Sequence, residues 1–222
     1  MSDENHGRLT ELGPHGDRLQ VLDDPNGPEG VIALRDGRLV VAEQNTDRIV
    51  VIRPPSTTPE MLLQLQPVAG VKGVDGIALD APRKRLLVPD SARGTLLAES
   101  LAGGTPSVVA TNLGRPVAAA VGPDGAIYVA AENRPGLLRV PADGGAAIPA
   151  GQNQLDEVIT VGGLLYVASL GDFTVNAIDP ATGNSRTLVT GDMTPQGLTL
   201  LSDGRLAVSD LNRGVVFTTP HC

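Results

Sequence analysis

The chain repeats one pattern about five times, and this repetition constrains its fold more than any other feature. Each copy runs as a small-residue opening, a turn, an apolar burst, an acidic or polar residue and a second apolar burst. The first reads PEGVIALRDGRLVVAEQNTDRIVVI, and it returns as VDGIALDAPRKRLLVPDSARGTLLAES, PVAAAVGPDGAIYVAAENRPGLLRV, LDEVITVGGLLYVASLGDFTVNAI and PQGLTLLSDGRLAVSDLNRGVVF. The equivalent positions Gly30, Gly76, Ala118, Glu157 and Gly197 lie 46, 42, 39 and 40 residues apart. A unit of this size cannot bury its own apolar face, so neighbouring copies must stack on one another.

A period near forty suits four short antiparallel strands per repeat, which makes an all-β β-propeller of four-stranded blades the expected fold. In the first copy, Val31 to Leu34 and Leu39 to Ala42 flank Asp36-Gly37, a pair that tolerates positive φ and favours a tight hairpin. Asp124-Gly125 and Asp203-Gly204 repeat that hairpin, and the second copy replaces it with the longer turn Asp80-Ala-Pro-Arg-Lys84. A third strand is expected at Ile49 to Ile52 and a fourth at Met61 to Leu65. The 27 glycines and 18 prolines supply turns, and no helix-period stretch interrupts the pattern. We therefore expect one domain over 1–222, with partial blade strands and closure in 1–29 and repeats starting near 30, 76, 118, 157 and 197. Arg8 to Leu12 and Arg18 to Leu22 resemble the third and fourth strands of an incomplete blade, while the carboxyl end supplies strands one to three. Two solutions follow: five blades, with Arg18 to Leu22 completing the last one, or a truncated six-bladed propeller.

The net charge of −8 and the scattered basic residues oppose a phosphate-backbone binder. Tyr128, Tyr166, Phe173 and Phe217 are the only aromatic residues, too few to stack bases or sugar rings. Lys72 and Lys84 are the only lysines, and Lys72 reads as a solvated loop residue rather than a Schiff-base nucleophile. His6, His15 and His221 all lie outside the repeated strands, which removes the commonest general base and a His-rich metal site. A lone terminal Cys222 permits no intrachain disulfide. No stretch is apolar or long enough to span a bilayer as a helix. The chain as supplied reads as soluble, either cytoplasmic or secreted with its signal removed.

What remains for chemistry is oxygen. The first strand of each propeller blade lines the central channel, and the residues just before it, Glu29, Asp75, Val117, Asp156 and Gln196, ring one mouth. Asp156 takes its place if the turn Gly162-Gly163 is one residue short; otherwise Leu155 does. Converging carboxylates repel unless a cation sits among them, and hard oxygen donors suit calcium or magnesium. The alternative is that each is a solvated turn residue. Lys72 and Arg115 lie near the same mouth and can offset part of its charge. A second acidic set, Glu43, Asp90 and Asp210, ends the second strand of three blades. These read as structural, each bonding downstream amides, with Arg48, Arg93 and Arg213 placed for blade-to-blade ion pairs. Asn45, Ala92 and Asn212 follow them two residues later, and Asn45, Asn133 and Asn212 are expected at turns that need left-handed backbone.

The pattern Pro-x-Gly-Ile-Ala, Asp-Gly, apolar-Val-Ala-Asp/Glu, Asn, Arg-Ile resembles NHL repeats and the related gluconolactonase/regucalcin superfamily of propellers over nearly the whole chain. In the gluconolactonase-like branch a channel cation is held by a Glu before a Gly, two Asn residues and an Asp in an Asp-Gly context. Glu29-Gly30 and Asp75-Gly76 match the first and last of these, and Asp156 and Gln196 would stand in for the Asn pair. The resemblance thus implies a calcium- or magnesium-dependent lactone or ester hydrolase. In it Glu29, Asp75 and Asp156 hold the cation, Asp156 deprotonates water, and Gln196 and Arg115 bind substrate. It equally implies the alternative of a non-enzymatic NHL-type sensor that binds a small molecule in or near the channel, or a protein partner. A streptogramin-lyase-like eliminase is less favoured, because the Trp-Phe-rich repeat and channel His which that resemblance implies are missing.

Overall fold

The computed structural model describes residues 1–13, 16–24, 26–133 and 136–221. His15, Cys222 and the side chain of His221 lie outside the described part. Among the described residues there are six small antiparallel sheets. The first pairs β1 (Ser2–Asp3), β2 (Arg8–Leu12) and β3 (Arg18–Asp23). The second holds β4 (Pro28–Ala33), β5 (Leu39–Glu43), β6 (Arg48–Ile52) and β7 (Glu60–Gln64). The third holds β8 (Ala78–Asp80), β9 (Arg85–Asp90), β10 (Thr95–Ser100) and β11 (Ser107–Ala110). The fourth holds β12 (Pro116–Val121), β13 (Ile127–Ala131), β14 (Leu137–Val140) and β15 (Ile148–Pro149). The fifth holds β16 (Leu155–Val161), β17 (Leu164–Ser169), β18 (Thr174–Ile178) and β19 (Ser185–Thr190). The last has β20 (Pro195–Leu200), β21 (Arg205–Asp210) and β22 (Val215–His221).

Six blades replace the five-bladed solution. Arg18 to Leu22 does not complete the last blade; it pairs with β2 in the first sheet, Leu9 opposite Leu22 and Thr10 opposite Val21. The order within blades decides between the two solutions. The Asp24 N–H donates to the Gly7 carbonyl at 2.7 Å, as Leu65 does to Asp47 and Leu113 to Gly94, both at 2.9 Å. Strands β1 to β3 therefore hold the second, third and fourth places of a blade, and the two-residue β1 is too short to show a period.

Internal contacts divide the chain into two compact units, Met1–Arg93 with Leu97–Ser107, and Gly94–Leu96 with Val108–Cys222. The first unit buries Val40, Ala42, Ile49, Leu63, Leu65, Leu86 and Val88 together. The second buries Tyr128, Ala130, Leu137, Leu155, Leu165 and Val167, with a neighbouring cluster around Tyr166, Leu198, Leu206 and Val208. The first strand of a blade is made of small residues for a local reason. At Gly30 an added Cβ would sit 2.9 Å from the Gly76 Cα, and the Gly30 N–H donates to the Asp75 carbonyl at 3.2 Å. Successive first strands in this unit touch backbone to backbone, and only glycine permits that approach. The hairpins form at Asp36-Gly37, Asp124-Gly125 and Asp203-Gly204, whose glycines have φ of 85°, 78° and 84°.

Candidate functional site

One backbone device recurs in five blades. The residue just past the second strand donates its N–H to the loop that enters the first strand: Gln44 to the Gly27 carbonyl, Ser91 to Gly73, Glu132 to Arg115, Leu170 to Gln154 and Leu211 to Thr194, at 2.8 to 3.1 Å. Beyond this bond the first strand is irregular. Pro28 faces Glu43 but Val31 faces Val41; Pro116 faces Ala131 but Ala118 faces Ala130; Leu155 faces Ser169 but Glu157 faces Ala168; Pro195 faces Asp210 but Leu198 faces Val208. In the third sheet Val74 bridges Asp90 while Ala78 faces Leu87, with Pro89, which has no N–H, on the shorter side. These are β-bulges, which free one residue from the ladder and re-aim its side chain.

The irregular stretches contain Glu29, Asp75, Val117, Asp156 and Gln196. Asp156 rather than Leu155 takes the bulge of the fifth blade. Glu29 and Asp75 belong to the first unit, and Arg115, Asp156 and Gln196 to the second. Within the first, the Asp75 carboxylate is buried and already satisfied. The Gln44 side-chain amide donates to its Oδ1, and the Ser91 hydroxyl donates to Oδ2 at 2.9 Å. Asp75 thereby ties the turn after β5 to the turn after β9. The Ser2 hydroxyl donates to the carbonyl of Glu29. In the second unit Arg115 is ion-paired to Glu132; Lys72, expected near this row, is paired to Glu4. Among the described residues no three His, Cys, Asp or Glu side chains are grouped as a bound metal ion requires. Each oxygen of Asp75 thus already accepts one hydrogen bond, Oδ1 from Gln44 and Oδ2 from Ser91.

The strand-end acids behave differently from the expectation of blade-to-blade ion pairs. Glu43 is fully buried and bonded by Arg48 Nε at 2.8 Å, by the Thr46 hydroxyl at 3.0 Å and by the Asn26 amide at 3.3 Å. Arg93 approaches Asp90 at 3.6 Å and Arg213 approaches Asp210 at 3.5 Å. All three pairs close a turn within one blade, while Arg93 also donates to the Gln66 carbonyl and Arg213 to Asp192. Burial pushes the Asp90 carboxyl above its ordinary pKa, although the Arg93 N–H and guanidinium oppose it. Asn45, Asn133 and Asn212 are not left-handed. The left-handed residue lies later in the turn, at Asp47, Gly136 and Gly214.

That left-handed place exists in all six blades: Gly7, Asp47, Gly94, Gly136, Phe173 and Gly214, with φ of 60°, 52°, 62°, 43°, 55° and 61°. Four glycines meet the requirement without cost. Asp47 meets it with a side chain that accepts the Gly73 N–H at 2.6 Å. Phe173 meets it with a bulky aromatic, a true outlier for this region. Ser169 holds the turn just before it: its Oγ accepts the Asp172 N–H at 3.1 Å and donates to the Asn153 carbonyl at 3.1 Å. Phe173 is half exposed and lines a groove of about 300 Å³ with Asp192, Met193, Thr194, Asn212 and Arg213. Sequence reasoning missed this residue; the signal was available in the alignment of Phe173 with the turn glycines.

With this geometry in view, known structures can be compared. A chain in the crystal structure of a nidogen/laminin complex matches with a TM-score of 0.81 and 18% identity, covering 96% of this chain and 86% of that one. A gluconolactonase from Xanthomonas campestris matches at 0.78 and 17% identity, over 94% and 77% of the two chains. A catalytically inactive virginiamycin B lyase from Staphylococcus aureus, crystallised with quinupristin, matches at 0.72 and 14%, over 98% and 75%. The fold is the six-bladed β-propeller. No protein-family model matches the sequence, and no curated protein does. The propeller fold is thus shared with the nidogen/laminin-complex, gluconolactonase and virginiamycin B lyase structures. Among the described residues no helix is long and apolar enough to cross a membrane.

Proposed function

We propose that this propeller is a binding module that engages a partner through the turn face of its fifth and sixth blades. Phe173 is the observation that carries the reading. A left-handed backbone costs an ordinary residue about 1–2 kcal/mol, and such costs gather where a side chain serves recognition. Four of the other blades avoid the cost with glycine, and the second blade offsets it with the Asp47 hydrogen bond. The fifth blade instead presents a half-exposed aromatic beside a groove. The test uses three labelled peptides of stated composition, one rich in arginine, one in glutamate and one in leucine, titrated against wild type and Phe173→Gly. Binding of at least one of them that is lost in Phe173→Gly is the expected result. Indifference of every peptide to Phe173 overturns the reading.

A second reading is supported by the bulge row, which has oxygen-bearing residues at four equivalent places in the sequence of the blades. It is a calcium- or magnesium-dependent lactone or ester hydrolase. Within the first unit, Glu29 and Asp75 would hold the cation, which would polarise the substrate carbonyl. In this reading Asp75 keeps its bonds from Gln44 and Ser91 and offers the cation the remaining lone pairs of its oxygens. Saturating calcium or magnesium at about a hundred times its dissociation constant should then stabilise the chelator-treated protein by roughly 2.7 kcal/mol. The effect should vanish in Glu29→Gln, and no thermal shift in wild type removes the reading.

A further inference from the structure

Resting on the binding reading, we infer that the Phe173 groove receives an arginine side chain from a basic segment of a partner protein. The groove carries its own example of the guest. The Arg213 guanidinium donates from Nη2 to Asp192 Oδ2 at 3.0 Å, and Asp192 is otherwise fully exposed. Asp210, buried at the base, holds the turn with the N–H groups of Asn212 and Arg213 at 3.1 and 3.3 Å. Asn212 is tied to the Thr194 hydroxyl at 2.6 Å, which sets the wall. The groove thus combines an exposed carboxylate that already accepts a guanidinium with an aromatic ring on the rim. Carboxylate and ring together select a planar cation, because a guanidinium forks onto a carboxylate and stacks on an aromatic face. A net charge of −8 favours basic partners at longer range. Exposed Leu211 and Val215 flank the same turn, providing apolar contact for a polypeptide beyond a single side chain.

Arg213 in this account is a placeholder that the guest displaces from Asp192. The experiment is fluorescence anisotropy of a labelled peptide of four arginines spaced by glycine, against its lysine and glutamate counterparts, near physiological ionic strength. The arginine peptide should bind at least about fivefold more tightly than the lysine peptide, the margin expected of a guanidinium on an aromatic ring. Phe173→Gly and Asp192→Asn should each weaken it by about tenfold, and Arg213→Gln should tighten it. Equal binding of arginine and lysine peptides, or insensitivity to Phe173, reduces the effect to net charge and overturns the inference. Phe173-dependent binding of the glutamate peptide alone also overturns it, while leaving the binding reading standing. Weaker binding in Arg213→Gln would contradict the placeholder role. Thermal unfolding of each variant separates a lost site from a lost fold.

Discussion

Asp75 and Phe173 both occupy places that the repeat uses again and again, and they differ in what surrounds them. Asp75 stands at a bulge that could re-aim it outward, yet its carboxylate accepts two hydrogen bonds from its own unit and is buried. Phe173 stands at a turn that four blades fill with glycine, and half of it faces solvent with a backbone conformation that disfavours it. An unusual side chain that the fold satisfies is explained by the fold. One that the fold tolerates at a cost calls for an explanation outside it.

The sharpest break of this contrast is Asp75→Ala. It removes the acceptor of the buried Gln44 amide and of the Ser91 hydroxyl, and a buried polar group that loses its partner costs roughly 1–3 kcal/mol. Denaturant unfolding should report a loss of roughly 2–4 kcal/mol; a change under about 0.5 kcal/mol would show that the latch between the two turns does not hold the fold.

Asp24 extends the comparison. It occupies the place of the buried Leu65 and Leu113, is 5% exposed, and its Oδ2 finds no hydrogen bond. Burial pushes its carboxyl above the ordinary value; the Asn26 N–H opposes that shift, nearby Glu43 adds to it and Arg48 offsets it. The folded state therefore holds this proton more tightly than the unfolded one. Its contribution to stability is present below the unfolded pKa and is lost as pH rises through the raised folded one. Asp24→Leu should stabilise the protein by about 1–2 kcal/mol at neutral pH, with the gain shrinking on acidification. A gain independent of pH would remove Asp24 as its source.

Much of the architecture was legible because the repeat is a statement about packing. Asp-Gly turns, alternating bursts and a period near forty required stacked four-stranded sheets. The bulge place of Asp156 could be read with one gap, since the short Gly162-Gly163 turn shifts its register. The blade count could not, because β1 is two residues long and the Gly7 turn is recognisable only through its bond to Asp24. Nor could the partners of Asp75 be read, since Gln44 lies in the preceding blade and pairs through stacking rather than sequence proximity. The turn place of Phe173 was legible, but its exposure and the groove beside it were not.

The most direct test of the central claim is the unfolding free energy of Phe173→Gly measured beside wild type. Relief of left-handed strain and loss of partial burial act in opposite directions, so the variant should stay within about 1 kcal/mol of wild type or exceed it. A loss of about 3–5 kcal/mol, the signature of a core aromatic, would make Phe173 a packing residue and contradict its role in recognition.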